Sequence, residues 1–288
     1  MPAALPVVVP AVVPVAPRPA NPLDTDYRLL FDLCPVLRVR LLTDDEPAPD
    51  RELGWYSATD LATDPDALAA ALAGEAARIA PVAVGHGTAP RPHVAASRLL
   101  HHYLWSVCVL IAGPWRLSGR VPSIDGADLW MHAPTGDFAL RPRAQVALPG
   151  EDELRAELRA AVVTHVEPLL AAFAAPTRRG TRALWGMVTD DLASAIWYLG
   201  KRLDESTGAA GGPGSPGEDA AVAAAEAVLP GQTDPLLGAA HFRVLNGEDG
   251  RAHHTRTRLG CCLYYAIEPA GACVTCPRTG DEERLRRF

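Results

Sequence analysis

The sequence predicts an α+β fold, mainly helical, in a single domain with a small sheet and a cysteine-rich C-terminal segment. Three observations carry that expectation. Two stretches repeat apolar residues every three or four positions, Leu154 to Phe173 and Leu184 to Leu203, which is the period of a helix with one buried face. Strand-like pieces are short and punctuated by Pro and Gly, chiefly between Gly113 and Gly150. Four of the six cysteines crowd into Cys261 to Cys276, near the end of a chain of 288 residues.

The elements follow in order. Residues 1–20 hold Pro2, Pro6, Pro10, Pro14 and Pro17 and no basic stretch ahead of the apolar run. Such spacing excludes a helical export signal and predicts a disordered, polyproline-like tail. A mainly helical core is expected over 21–206. "DTDYRLLFDLCPVLRVRLL" is apolar and ends in a strand. A helix over 65–80 is opened by Asp64 as N-cap with Pro65 at its first position. Leu99 to Ile111 is apolar all round and predicts a helix at the centre of the core. Arg98, His101 and His102 cut its uncharged run to about half of the ~20 residues a bilayer needs, so no stable membrane span is expected. Leu154, Leu158, Val162, Val166, Leu169 and Phe173 line one helix, with a kink expected at Pro168. Leu184, Val188, Leu192, Ile196, Leu199 and Leu203 line a second, over 181–204. Their stripes are expected to lie side by side. The Gly- and Pro-rich residues 207–218 predict a flexible linker. Residues 219–288 complete the core with a helix near Ala220 to Leu229, a hairpin turning at Asn246-Gly247, and the cysteine segment, 256–278.

Composition narrows the function. Hydrophobic residues make up 48% and charged residues 21%, an ordinary globular balance. A net charge of −7 excludes a nucleic-acid coat, which needs a basic face. There is no Gly-rich phosphate loop, nucleotide fingerprint or Ser-His-Asp arrangement. With no export signal a cytoplasmic location is expected, where clustered cysteines serve metals or redox chemistry more often than disulfides.

Cys261, Cys262, Cys273 and Cys276 are spaced Cys-Cys-x10-Cys-x2-Cys. Two disulfides, a tetrahedral zinc and a [2Fe–2S] cluster are the three readings. Adjacent cysteines seldom bridge each other without strain. Zinc favours two Cys-x2-Cys knuckles, and here one knuckle is a Cys-Cys pair. A [2Fe–2S] cluster takes four thiolates and accepts irregular spacing, and it is the favoured reading. The backbone has to turn between Cys261 and Cys262, with Gly260 supplying the freedom. Cys273-Val274-Thr275-Cys276 reads as a turn that brings two sulfurs to one side.

The stretch "RTRLGCCLYY…CVTCP" resembles the signature of the FhuF-like ferric-siderophore reductases, in its four cysteines, their spacing, Arg258 and the tyrosines after the pair. "THVEPLLAAF" and "RALWG", with His165, Pro168 and Trp185, are similar to that family's helical middle. The resemblance implies a cytoplasmic reductase whose [2Fe–2S] cluster is held by Cys261, Cys262, Cys273 and Cys276. It would take one electron from an electron-donor protein or diffusible reductant and pass it to Fe(III) in an imported siderophore. Fe(II) is held more weakly by hard oxygen ligands, so reduction releases it. Arg256 and Arg258 either raise the cluster potential, contact an anionic siderophore, or form a solvated strand face. For His165 the default is a core histidine, and the resemblance adds a pocket role. The contrasting reading is a non-catalytic binding or sensing module stapled by zinc or a cluster.

The other polar residues read more plainly. His253 and His254 are expected on an exposed hairpin. Asp190 and Asp191 are expected as first-turn or solvated helix charges. Cys34 and Cys108 behave as small hydrophobes.

Overall fold

Asn21 opens the first helix, α1 (Pro22–Leu33), by accepting a hydrogen bond from the Leu23 amide. From there a computed structural model describes residues 21–208, 215–248 and 250–287. The expected tail lies outside the described residues, as do 209–214 of the expected linker. Strand β1 (Val39–Leu41) follows, then β2 (Trp55–Ser57) and a short helix, α2 (Ala58–Thr63), closed at its start by a reciprocal Ser57–Asp60 capping box. Asp64 caps α3 (Pro65–Gly85) from the position the sequence assigns it, and the helix runs past Ala80.

Helix α4 (Pro92–Ser118) is the axis of the fold. Leu99, Leu100, Leu104, Val107, Leu110 and Ile111 are all fully buried. It needs cover on every side, and α1, α3, α5 (Glu151–Thr177) and α6 (Thr181–Ser206) supply it. The stripes of α5 and α6 are buried apart from half-buried Leu154 and Leu203 at their ends, but they face α4 more than each other. An all-round apolar helix offers each stripe more surface than a second stripe does.

The sheets are small. β1, β2, β4 (Leu129–His132) and β5 (Phe138–Leu140) form one of four strands in the order β1-β5-β4-β2, with β1 parallel to β5 and the other pairs antiparallel. β3 (Val121–Ser123) pairs with β6 (Ala144–Val146). β7 (Phe242–Asn246) pairs with β8 (Ala252–Arg256) in the predicted hairpin, but Asn246 is still paired, opposite Ala252, rather than in the turn. Helix α7 (Pro216–Val228) starts inside the stretch expected to be a linker. Its first turn is fixed by Asp204 of α6, which accepts from the Ser215 hydroxyl and, at 2.8 Å each, from the Gly217 and Glu218 amides. The chain ends in α8 (Asp281–Leu285). The result is the predicted α+β, mainly helical domain with its cysteines near the C-terminus.

By length and composition alone, three helices among the described residues could cross a membrane: α3, α4 and α5. In α4, 78% of the apolar window is buried inside the protein; in α3 and α5 the share is 33% and 39%.

Candidate metal centre

The cysteine segment hangs from β8 and is pinned to α6 by two aspartates. Arg256 reaches Asp190 at 2.7 Å, and also donates to the Asp190 carbonyl at 3.1 Å and the Ala240 carbonyl at 2.8 Å. Two residues on, Arg258 donates to Asp191, which also meets His101 Nδ1 at 2.8 Å. Asp190 then accepts from the Leu259 amide at 3.0 Å and the Gly260 amide at 2.7 Å. The backbone is therefore fixed immediately before Cys261. Gly260 packs so closely on α6 that a Cβ there would lie 2.9 Å from Met187 Cγ. That close approach is what requires glycine. The sharp turn comes later, at Leu263, with φ of 65°. A left-handed leucine costs about 1–2 kcal/mol, and its amide donates to Cys261 Sγ, 3.4 Å away.

The second pair is built by a turn. The Cys276 amide donates to the Cys273 carbonyl at 3.0 Å, closing Cys273-Val274-Thr275-Cys276. The Arg258 amide donates to Thr275 O at 3.0 Å, tying this turn to the strand that delivers the first pair. Arg284 of α8 donates to Thr257 Oγ1 at 3.2 Å and Cys276 O at 3.1 Å, and Arg179 donates to Cys261 O.

All four cysteines line one small cavity, with Arg258, Gly260, Tyr264, Tyr265, Ala272 and Pro277. Cys261 Sγ and Cys276 Sγ are 4.0 Å apart. Cys262 and Cys276 are buried, Cys261 is half-buried and Cys273 is exposed. Among the described residues, no three His, Cys, Asp or Glu side chains gather around a single ion position. A [2Fe–2S] cluster takes four thiolates, two on each iron, and four cysteines line this one cavity. Burial, and then the neighbouring Cys276 and Cys262, push the Cys261 thiol up to about 11. Four thiolates on one cavity are a concentration of negative charge that needs cations nearby. Burial opposes the charge of Arg258, but Asp191, Asp190, Cys262 and Cys273 outweigh it and raise its pKa.

Cys262 and Cys273 also form part of the wall of an open groove of about 370 Å³. Trp105, Trp197 and Tyr198 face them from α4 and α6, and Arg98, Lys201 and Arg258 bring positive charge. Arg98 donates to Cys262 Sγ at 3.5 Å and lies over the Tyr264 ring at 4.8 Å.

Several expectations need correction. Arg256 is fully buried in its pair with Asp190 and is not part of the groove lining. Arg258 is also buried and committed to Asp191, although it lines the groove. His165 is the core histidine of the default reading, with Nδ1 2.8 Å from Ile124 O and Nε2 2.8 Å from the Tyr103 hydroxyl, and it lines neither the groove nor the cysteine cavity. His253 is buried, and His254 meets Asp219 at 2.6 Å. Asp190 and Asp191 are the reverse of solvated charges: both are fully buried. Two adjacent acids on an apolar stripe, matched by Arg256 and Arg258 two residues apart, were the signal that could have identified them. Arg98, the groove tryptophans and Lys201 gave no such signal. Cys34 and Cys108 are buried in the apolar core.

Residues 258–278 match the FhuF 2Fe-2S C-terminal domain family. No curated protein and no solved structure matches the chain. The C-terminal segment is thus a [2Fe–2S] domain, and its donor set fits the cluster: four cysteines on one cavity with Arg258 in its wall, and Arg98, Arg179 and Arg284 bonded to Cys262 Sγ, Cys261 O and Cys276 O. Cys261, Cys262, Cys273 and Cys276 would hold it.

Proposed function

We propose that the protein is a one-electron reductase of ferric siderophores, working in the cytoplasm, with its substrate seated in the groove beside Cys262 and Cys273. One observation carries this reading. Two of the four cysteines of the [2Fe–2S] segment belong to the wall of an open groove of about 370 Å³. A structural staple gains nothing from a groove at its sulfurs, whereas electron transfer needs a short path to a bulky chelate.

When bound, the cluster supplies a store for one electron taken from a donor protein or diffusible reductant. The chain's own residues do the rest. Trp105, Trp197 and Tyr198 give the groove flat apolar surfaces. Lys201 lies over the Trp197 ring at 4.1 Å and meets Glu218 at 3.0 Å, which orders both. Arg98 and Lys201 concentrate positive charge in an otherwise acidic protein, and that favours anionic chelate oxygens. Iron reduced to Fe(II) is held less tightly by those oxygens and is lost.

The test is reoxidation. Cluster-loaded protein reduced by dithionite and mixed with ferric siderophores is expected to lose its reduced spectrum, with one Fe(II) per protein appearing in a chelator trap. Reoxidation no faster than in buffer alone would leave a binding or sensing module in its place. For the location, cell fractionation is expected to recover the protein with the soluble enzymes. Recovery in membranes would instead put α3, α4 or α5 in a bilayer.

A further inference from the structure

The cationic groups around the cysteines are unequally committed. Arg256 and Arg258 are paired with Asp190 and Asp191. Arg179 and Arg284 are spent on backbone carbonyls of the segment itself. Lys201 has Glu218. Arg98 differs. Its one hydrogen bond among the described contacts runs to Cys262 Sγ at 3.5 Å, its flat face rests on Tyr264, and its buried Nε, like those of Arg258 and Arg284, has no hydrogen-bond partner. It also borders two grooves, the one beside Cys262 and Cys273 and a second lined by Glu75, Arg78, His102 and Thr135.

We propose that Arg98 is a positioning residue that couples occupation of the groove to the reduction potential of the cluster. With the groove empty, its guanidinium donates to Cys262 Sγ. A positive donor at a ligand sulfur stabilises the more negative, reduced state and raises the potential. An anionic chelate in the groove is a better partner for the guanidinium than a thiolate whose charge is shared with iron. As Arg98 turns to it, Cys262 loses its donor and the potential falls. With a cluster bound, its electron would then pass more readily to the chelated Fe(III), giving Fe(II) and the oxidised protein. The reduced protein holds its electron until substrate is present. By linkage the effect is reciprocal: the chelate binds the oxidised protein more tightly than the reduced one, by the same factor. This coupling rests on the substrate reading above.

The experiment uses gallium, which fills the iron position of a siderophore but takes no electron. The potential of the cluster-loaded full chain is measured by redox titration with and without a Ga(III) tris-catecholate, which is anionic, and with a neutral Ga(III) tris-hydroxamate. Binding is read separately from quenching of tryptophan fluorescence. The anionic chelate is expected to shift the wild-type equilibrium toward the oxidised state roughly tenfold, about 59 mV for a one-electron couple, and the neutral one by less. In Arg98→Gln the potential is expected to start lower and the shift to shrink. Arg98→Lys, which keeps the charge, is expected to recover part of both. Cluster content and circular dichroism identify any variant that misfolds, and the wild-type comparison of the two chelates needs no variant. Binding of the anionic chelate without a shift, or an equal shift in wild type and Arg98→Gln, overturns the coupling and leaves the substrate reading intact. Failure of both chelates to bind removes the substrate reading, and the coupling with it.

Discussion

The α4–α5–α6 bundle and the cysteine segment are held in opposite ways. The bundle relies on apolar burial: Leu104, Val107, Val162 and Leu192 are fully buried, and from Val107 to Ala112 every residue of α4 is apolar and buried. From Thr257 onward, the described segment has only Cys262, Ile267 and Cys276 as buried apolar residues. It is fixed instead by Asp190, Asp191, Arg179 and Arg284, each bonded to its backbone or to an arginine that leads into it. Apolar packing fixes a chain by covering it. Hydrogen-bonded pins fix a chain and leave it uncovered, which is what sulfurs beside an open groove require.

The sharpest way to break that comparison is to remove one anchor from each region. Asp190→Ala strips the partner from fully buried Arg256 and two acceptor bonds from the Leu259 and Gly260 amides. Breaking a buried pair in this way costs about 3–5 kcal/mol. Leu104→Ala opens a cavity in the bundle and costs about 2–5 kcal/mol. Urea denaturation is expected to show similar losses. The cluster should separate them: Asp190→Ala is expected to lose it or make it labile, while folded Leu104→Ala keeps a wild-type visible spectrum. Equal cluster retention in the two variants would mean that packing, not the aspartate pins, holds the segment.

The two regions were also unequally legible. The bundle was readable because helical periodicity records burial directly, and Asp64-Pro65 and Asn246-Gly247 mark a cap and a turn by local chemistry alone. The four cysteines were readable as a group because their spacing is itself a chemical constraint. What held them was not. Asp190 and Asp191 are 66 or more residues from the arginines they bind, and local sequence cannot tell a buried acid from a solvated one when its partner is distant. Arg256, read from its place near Cys261 as tuning the cluster, contacting a siderophore or lying on a solvated face, is turned inward by that same unseen pairing. The helix expected at Ala220 began earlier because its cap, Asp204, comes from α6 rather than from the preceding residues.

Asp204 provides the smaller test, because it is a polar pin that serves a helix and no cysteine. Burial works against its charge, but hydrogen bonds from Ser215, Gly217 and Glu218 prevail and hold its carboxyl below the usual range. A group with a depressed folded pKa stabilises the fold above its unfolded value, about 3.9 for Asp, and that contribution is lost as the pH falls through the lower, folded value. Asp204→Asn keeps the shape and removes the charge. It is expected to cost about 1 kcal/mol at neutral pH, the usual size of a lost cap, without altering the cluster spectrum. The urea midpoints of wild type and variant should differ at pH 7 and converge as the pH falls below about 4. A gap that persists unchanged into acid would show that the Asp204 carboxylate charge contributes nothing. Any loss of cluster would show that α7 and the cysteine segment are coupled through α6, and the two regions would then have to be treated as one.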